Sequence, residues 1–205
     1  MKRAFDVIAA TLLTGLLLPV GLVLAAAIRL TLGSPVLFRQ IRPGLNGRPF
    51  ELWKFRTMSE ARGADGRLLP DAARLGAFGR FLRRTSLDEL PELANVIRGD
   101  MSMVGPRPLL MAYLERYSPR QARRHEMRPG ITGLAQVSGR NLLSWDDRFE
   151  RDVWYVDHWS LWLDVKILLK TAVTVLAREG ISQVGRATAD EFMGSSSPRH
   201  GGTRS

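Results

Sequence analysis

Two adjacent acids, Asp88 and Glu89, lie in the stretch Arg83-Arg84-Thr85-Ser86-Leu87-Asp88-Glu89-Leu90-Pro91-Glu92-Leu93, behind a pair of arginines and ahead of a proline. The spacing Ser86-x-x-Glu89 is that of a capping box, with Asp88 as an acid in a first helical turn. Pro91 fits this reading poorly, because it falls just past the positions where a missing N–H is harmless. Either the helix starts later or its first turn is irregular, and both options leave the acids less committed to capping. Arg107 sits between Pro106 and Pro108. Two prolines fix the backbone and hence the direction of the guanidinium, which suits bidentate recognition of phosphate; an exposed turn arginine is the plainer reading of the same residues. Lys54 and Arg56 share one face of a strand by alternation, where each can meet a phosphate.

The bulk composition narrows the chemistry. The chain has 205 residues, enough for one domain plus a membrane segment, with 30 Lys+Arg against 20 Asp+Glu and a formal charge of +10. Such an excess points to phosphate-bearing partners: nucleic acid, anionic lipid or a phosphorylated substrate. Cysteine is absent and there are only three histidines, His125, His158 and His200, with no metal-ligand spacing. Disulfides, thiolate catalysis and zinc sites are therefore set aside.

The elements that must position these residues begin with an uncharged run from Val7 to Ile28, about the twenty residues that a helix needs to cross a bilayer. It is too long for the apolar core of a cleaved signal. Lys2 and Arg3 precede it, and Arg29, Arg39, Arg42 and Arg48 follow. Both ends thus favour the cytoplasmic face, while Pro19 near the middle allows a break. A re-entrant helix and a kinked span both remain open on these residues alone. Val36 to Ile41 and Phe50 to Thr57 read as a hairpin around a Pro-Gly and Asn-Gly turn, Ala61 to Asp71 as a loop, and Arg74 to Arg84 as a short basic amphipathic helix.

Here the residues add up to a family. Thr85-Ser86-Leu87-Asp88-Glu89-Leu90-Pro91, Gly99-Asp100-Met101-Ser102, Gly105-Pro106-Arg107-Pro108 and Arg128-Pro129-Gly130-Ile131-Thr132-Gly133 resemble motifs of the bacterial sugar transferases, the monotopic phosphoglycosyl transferases. Lys2-Arg3 with Asp6, Lys54-Phe55-Arg56-Thr57-Met58 and Asp152-Val153-Trp154-Tyr155-Val156 add to the resemblance, which runs in order from Lys2 to Gly194. It implies a ping-pong transfer of a sugar-1-phosphate from a UDP-sugar to undecaprenyl phosphate, releasing UMP, as the first membrane step of polysaccharide or glycoconjugate synthesis. Asp88 would be the nucleophile and a ligand of Mg2+, with Glu89 handling protons or positioning. Arg83, Arg107 with Pro106 and Pro108, Lys54, Arg56 and Arg128 would meet the substrates. Lys2, Arg3 and Pro19 would set the membrane segment, at the bacterial inner membrane with the catalytic domain on the cytoplasmic face. The family's Ser-Pro helix break reads Leu18-Pro19 here, so only the proline is retained; with the doubly basic flanks it favours the re-entrant form.

The expected architecture is α+β and mainly helical: a re-entrant membrane helix over 1–32, a cytosolic membrane-associated catalytic domain over 33–194 with amphipathic interfacial helices and a small β-hairpin, and a disordered tail over 195–205. Arg116, Arg120, Arg123, Arg124 and Arg128 read as a solvated helix surface that suits an anionic lipid layer, with His125 also on the surface. The run Gln136-Val137-Ser138-Gly139-Arg140-Asn141 continues the glycine-rich loop beside the active site. Trp159 and Trp162 fit an interfacial aromatic belt, with core packing as the plainer alternative. Expected partners are the UDP-sugar, undecaprenyl phosphate and membrane lipids, without nucleic acid; a homodimer is left open. The sugar is not legible, although the small size of the chain favours an N-acetylated amino sugar over a hexose. The rival reading is a non-catalytic, basic, membrane-tethered module that binds nucleic acid or anionic lipid; it leaves Asp88, Glu89 and Arg107 idle.

Overall fold

A computed structural model of the chain describes residues 1–139, 143–177 and 191–194. The tail over 195–205, and Arg140 and Asn141, lie outside the described residues. The helices are α1 (Lys2–Thr31), α2 (Asp71–Arg74), α3 (Ala77–Arg84), α4 (Glu92–Arg98), α5 (Pro119–Ala122), α6 (Leu134–Val137), α7 (Trp145–Asp157) and α8 (Leu161–Ala177). Strands β1 (Leu37–Pro43) and β2 (Pro49–Phe55) form an antiparallel hairpin, and β3 (Ser102–Val104) pairs in parallel with β4 (Gly130–Thr132). The α+β, mainly helical expectation is met.

Helix α1 is apolar and long enough to cross a membrane by length and composition, and it runs on past Pro19 rather than breaking there. Its two ends are tied to one protein body. At the start, Lys2 Nζ donates to Asp164 Oδ2 at 2.6 Å, to the Val104 carbonyl at 3.0 Å and to Tyr155 Oη at 3.2 Å. Arg3 donates to the carbonyls of Val96 and Ile97 at the end of α4, and buried Asp6 accepts from Ser102 Oγ and the Met103 amide. Near the other end, Leu24 and Ile28 pack against Phe55 and Leu82. The basic pair expected at lipid headgroups is thus engaged with protein acceptors, because a buried carboxylate such as Asp164 and the open carbonyls of a helix end both call for cations. Between the tethered ends, Leu12, Leu16, Leu18, Leu22 and Val23 are exposed.

The hairpin ends sooner than alternation suggests. β2 stops at Phe55, so Arg56 does not share a face with Lys54; its guanidinium donates to the Leu32 and Ser34 carbonyls just beyond α1. Asn95 of α4, fully buried, fastens the other edge of β2, donating to the Glu51 carbonyl at 2.7 Å and accepting from the Trp53 amide at 3.1 Å. This staple brings Lys54 over the start of α4. The basic amphipathic helix begins at Ala77, three residues after the expected start at Arg74, with Leu82 buried and Phe81 largely exposed.

Two loops approach so closely that only glycine fits. A Cβ on Gly130 would lie 2.0 Å from the Gly105 amide nitrogen, and one on Gly105 would lie 2.4 Å from the Arg128 carbonyl oxygen. The contact is sealed by the Gly130 amide donating to the Pro106 carbonyl at 3.0 Å and the Gly105 amide to Thr132 at 2.9 Å. The glycines of both motifs therefore serve to set Pro106-Arg107-Pro108 against β4.

Candidate active site

Pro91 decides the geometry of the acidic turn. It stands at the N-cap of α4, where its missing N–H leaves no gap. Ahead of it, Leu87–Glu89 is a 3-10 turn entered through Ser86 at φ 55°, a left-handed conformation uncommon for serine. The Ser86 side chain caps nothing, so the capping box does not form and both acids are released from that duty. The helix starts later and the preceding turn is irregular, as Pro91 requires.

Glu89 is held from two sides. Lys54 Nζ and Arg107 Nη2 each stand 2.7 Å from its Oε1. Burial alone would raise its pKa, but the Arg107 and Lys54 charges prevail and hold the carboxyl well below its usual range. Glu89 is therefore a fixed anion that orients Arg107, which fits positioning rather than proton handling. Asp88 is different. Among the described residues it has no hydrogen bond or ion pair, although it is only 9% exposed. Burial, then the charge of Glu89, pushes its carboxyl above the ordinary range, while Lys54, Arg107 and Arg83 pull it back.

Glu92, which sequence reasoning passed over, shares Lys54 with Glu89 at 2.9 Å and is almost fully buried. Burial and then the charge of Glu89 push it up to about 7. Of the two acids on one lysine, Glu89 has a second cation and keeps its charge, so Glu92 takes the proton. Against an ordinary value of 4.5, a carboxyl at about 7 binds a proton in the folded state over the interval between. Its contribution to stability is present below the lower value and is lost as pH rises through the upper one. Thermal unfolding should show the wild type losing stability from pH 5 to pH 8, with a flatter profile for Glu92→Gln. Parallel profiles for the two proteins would remove Glu92 from this role.

Glu89 and Arg107 line a cavity of about 510 Å³, whereas Asp88, Lys54 and Glu92 are not among its lining residues. Ser86, Leu87, Glu89 and Leu90, the residues around Asp88, form part of its wall. Leu13 and Leu17 of α1, with Leu93 and Ile131, supply an apolar side; Trp145, Arg148, Phe149 and Asp152 of α7 supply an aromatic and charged one. Arg83 lines the cavity with its Nε donating to Thr57 Oγ1 at 3.1 Å.

Of the residues singled out from sequence, Asp88, Glu89, Lys54, Arg83 and Arg107 come together. Pro106 and Pro108 are buried beneath Arg107 and stiffen its backbone. Arg56 is placed at the end of α1. Arg128 donates from Nε to the Gly99 carbonyl at 2.9 Å and is not among the cavity's lining residues. The arginine-rich segment is not simply a solvated face. Arg120 and Arg123 are outward, but Arg124 is 2% exposed, paired with Asp152 at 2.7 Å, and its Nη2 also donates to the Arg107 carbonyl at 2.7 Å. His125 is half-buried beside Tyr117 rather than on the surface, and burial, then the Arg124 charge, pushes it down to about 4. Trp159 donates to Asp164 inside the protein, whereas Trp162 is exposed.

A divalent cation meets a limited donor set here. No cluster of three His, Cys, Asp or Glu occurs among the described residues, and the carboxylates of Glu89, Glu92 and Asp152 are taken by cations. Of the carboxylates at this turn, Asp88 alone has no partner among the described residues. That fits Mg2+, which commonly takes only one or two protein carboxylates and completes its shell with phosphates and water.

Comparison with known proteins shows the family. Residues 1–178 match the family model described as bacterial sugar transferase. The sugar transferase EpsL of Bacillus subtilis is 55% identical over 195 residues, spanning 95% of this chain and 96% of that protein. The UDP-glucose:undecaprenyl-phosphate glucose-1-phosphate transferase of Caulobacter vibrioides is 46% identical over 193 residues, 87% of this chain and 70% of that protein. The Escherichia coli transferase of the same name is 43% identical over 185 residues, where the match covers 83% of this chain but 39% of that protein. The chain is a member of the bacterial sugar transferase family.

Proposed function

We propose that the protein transfers a sugar-1-phosphate from a UDP-sugar to undecaprenyl phosphate with release of UMP, through an aspartyl-phosphosugar intermediate. The observation that carries this is the buried carboxylate of Asp88, which has no hydrogen bond or ion pair among the described residues, beside Glu89 and Glu92, which are paired with Lys54. A carboxylate oxygen of Asp88 attacks the sugar-bearing phosphorus, and the bond from that phosphorus to the bridging oxygen breaks. UMP leaves with the electron pair. An oxygen of the lipid phosphate then attacks the same phosphorus and expels the Asp88 carboxylate, which restores the enzyme. Glu89 holds Arg107 and Lys54 together, which keeps the field at the turn close to balance. Mg2+ held by Asp88 and substrate phosphates would offset charge between nucleophile and pyrophosphate.

The relatives' names support the substrates: they specify undecaprenyl phosphate with UDP-glucose, and in Salmonella typhimurium an undecaprenyl-phosphate galactose phosphotransferase. The apolar wall from α1 suits an isoprenoid tail and the arginines suit phosphates. A UDP-sugar panel of glucose, galactose and their N-acetylated amino forms, run with polyprenyl phosphate, tests the reading. UMP and the lipid-linked sugar phosphate are the expected products; UDP as the nucleotide product rejects the mechanism.

The membrane segment is re-entrant in this reading, turning back through a bend at Pro19 within an unbroken helix rather than through a break, with the body at the cytoplasmic face of the inner membrane. Both ends of α1 are fastened to one body while its middle is apolar and exposed. Single cysteines near Lys2 and Gly33 should react with an impermeant reagent from the same side, and labelling from opposite sides rules the topology out.

A further inference from the structure

Among the described residues, four arginines line the cavity: Arg83, Arg107, Arg124 and Arg148. Their donors are not equally spent. Arg124 is closed off, giving Nε and Nη2 to Asp152, Nη1 to Tyr117 Oη and Nη2 also to the Arg107 carbonyl. Arg107 is bound to Glu89. Among the described residues, Arg83 spends only Nε, on Thr57, and Arg148 spends only Nε, on the Leu143 carbonyl at 3.2 Å. Among the described residues, neither of these two has a carboxylate within ion-pair distance. Arg83 belongs with the Asp88 turn. Arg148 comes from α7, and nothing in the transfer chemistry described above employs it.

Its setting is that of a held ligand-binding group. The guanidinium lies 4.8 Å from the Trp145 ring, which is itself held by Phe149, stacked at 5.6 Å, and by Tyr113 and Phe192. Stacking fixes the plane of the guanidinium and leaves the Nη1/Nη2 edge for a planar pair of hydrogen bonds, the geometry that phosphate takes from arginine. Burial, with the Arg107 charge, holds Arg148 below the ordinary guanidinium value, although the Asp152 carboxylate, itself paired with Arg124, pulls it back.

On the reading under Proposed function, the donor carries two phosphates. The one under attack lies at Asp88 with Arg83 and Arg107; the other leaves with the nucleoside. We propose that Arg148, backed by Trp145, is the positioning residue that grips this departing phosphate. The alternative source of the same chemistry is the lipid phosphate, but the apolar wall that a lipid tail follows comes from Leu13, Leu17 and Leu93, whereas Arg148 stands on the aromatic wall of α7.

Equilibrium binding of UMP and of uridine to the full chain, in wild type, Arg148→Gln and Arg148→Lys, tests the assignment without turnover. One charge-assisted bidentate contact corresponds to on the order of 10- to 100-fold in affinity. UMP affinity should fall by that factor in the glutamine variant and recover in part in the lysine variant, with uridine unmoved. In steady state, kcat/KM for the UDP-sugar should fall with it, while kcat/KM for polyprenyl phosphate holds within about twofold, as a ping-pong scheme separates the two. Unchanged UMP binding, equal weakening of UMP and uridine, or a loss confined to the lipid substrate each overturns the assignment. A wild type that binds UMP through Arg148 yet releases no UMP from any sugar donor overturns the transfer reaction and leaves the phosphate site standing.

Discussion

Asp88→Asn should lower UMP release from the UDP-sugar by at least about 10^3-fold, because an amide cannot serve as the phosphoryl acceptor. The substitution is clean on structural grounds. Asp88 has no hydrogen bond or ion pair among the described residues, so asparagine of the same shape forfeits no contact. Burial and the neighbouring Glu89 charge already disfavour the ionised carboxyl, so a neutral side chain should leave thermal stability equal or higher. Loss of turnover with retained stability separates chemistry from folding. A second readout follows from the covalent step: with labelled donor and no lipid, the wild type should retain label on the protein and the variant none. Activity within about tenfold of wild type would end the nucleophile assignment. The non-catalytic reading predicts no change in any of these quantities.

What could be read from the chain was the part of the site that is local. Asp88, Glu89 and Arg83 lie within one short segment, and Pro91 announces from sequence alone that the turn is not an ordinary cap. Arg107 was legible because its two prolines mark a fixed backbone. The errors occur where tertiary contacts decide. Alternation put Arg56 beside Lys54, but β2 ends at Phe55 and the carbonyls beyond α1 capture the guanidinium. Lys2 and Arg3 have the composition of a lipid-facing flank, yet Asp164, more than a hundred residues onward, draws Lys2 inward. Glu92 drew no reading from the sequence; only the fold shows that it shares Lys54 with Glu89. The aromatic seat of Phe192, among Tyr113, Tyr117, Trp145 and Phe149, is likewise assembled from distant segments. A cue was present for Arg148: an arginine three residues after a tryptophan at a helix start can stack on it. Nothing in that spacing says what the pair faces.

Removing Arg124 should destabilise the protein by about 3–5 kcal/mol, the usual cost of leaving one member of a buried ion pair alone. Arg124→Met keeps apolar bulk but strips Asp152 of a partner that supplies Nε at 3.0 Å and Nη2 at 2.7 Å. Burial already drives the Asp152 carboxyl upward, with Arg124 the largest influence opposing it. Asp152→Leu alone should cost a similar amount by stranding the guanidinium. The double variant removes both charges, and a buried pair replaced by apolar groups is often neutral in stability, so it should recover most of what either single change lost. Activity should not follow. Arg124 also donates to the Arg107 carbonyl at 2.7 Å, and that tether, with Pro106 and Pro108, aims the guanidinium held by Glu89. Without it, kcat/KM for the donor should stay about tenfold or more below wild type, since one positioning hydrogen bond to a charged network is worth roughly 1.5–3 kcal/mol. A double variant no more stable than the single ones would show that the pair is not self-contained. If stability and activity returned together, the tether would have no part in positioning Arg107, and the active site would owe its shape to Glu89 and the two prolines alone.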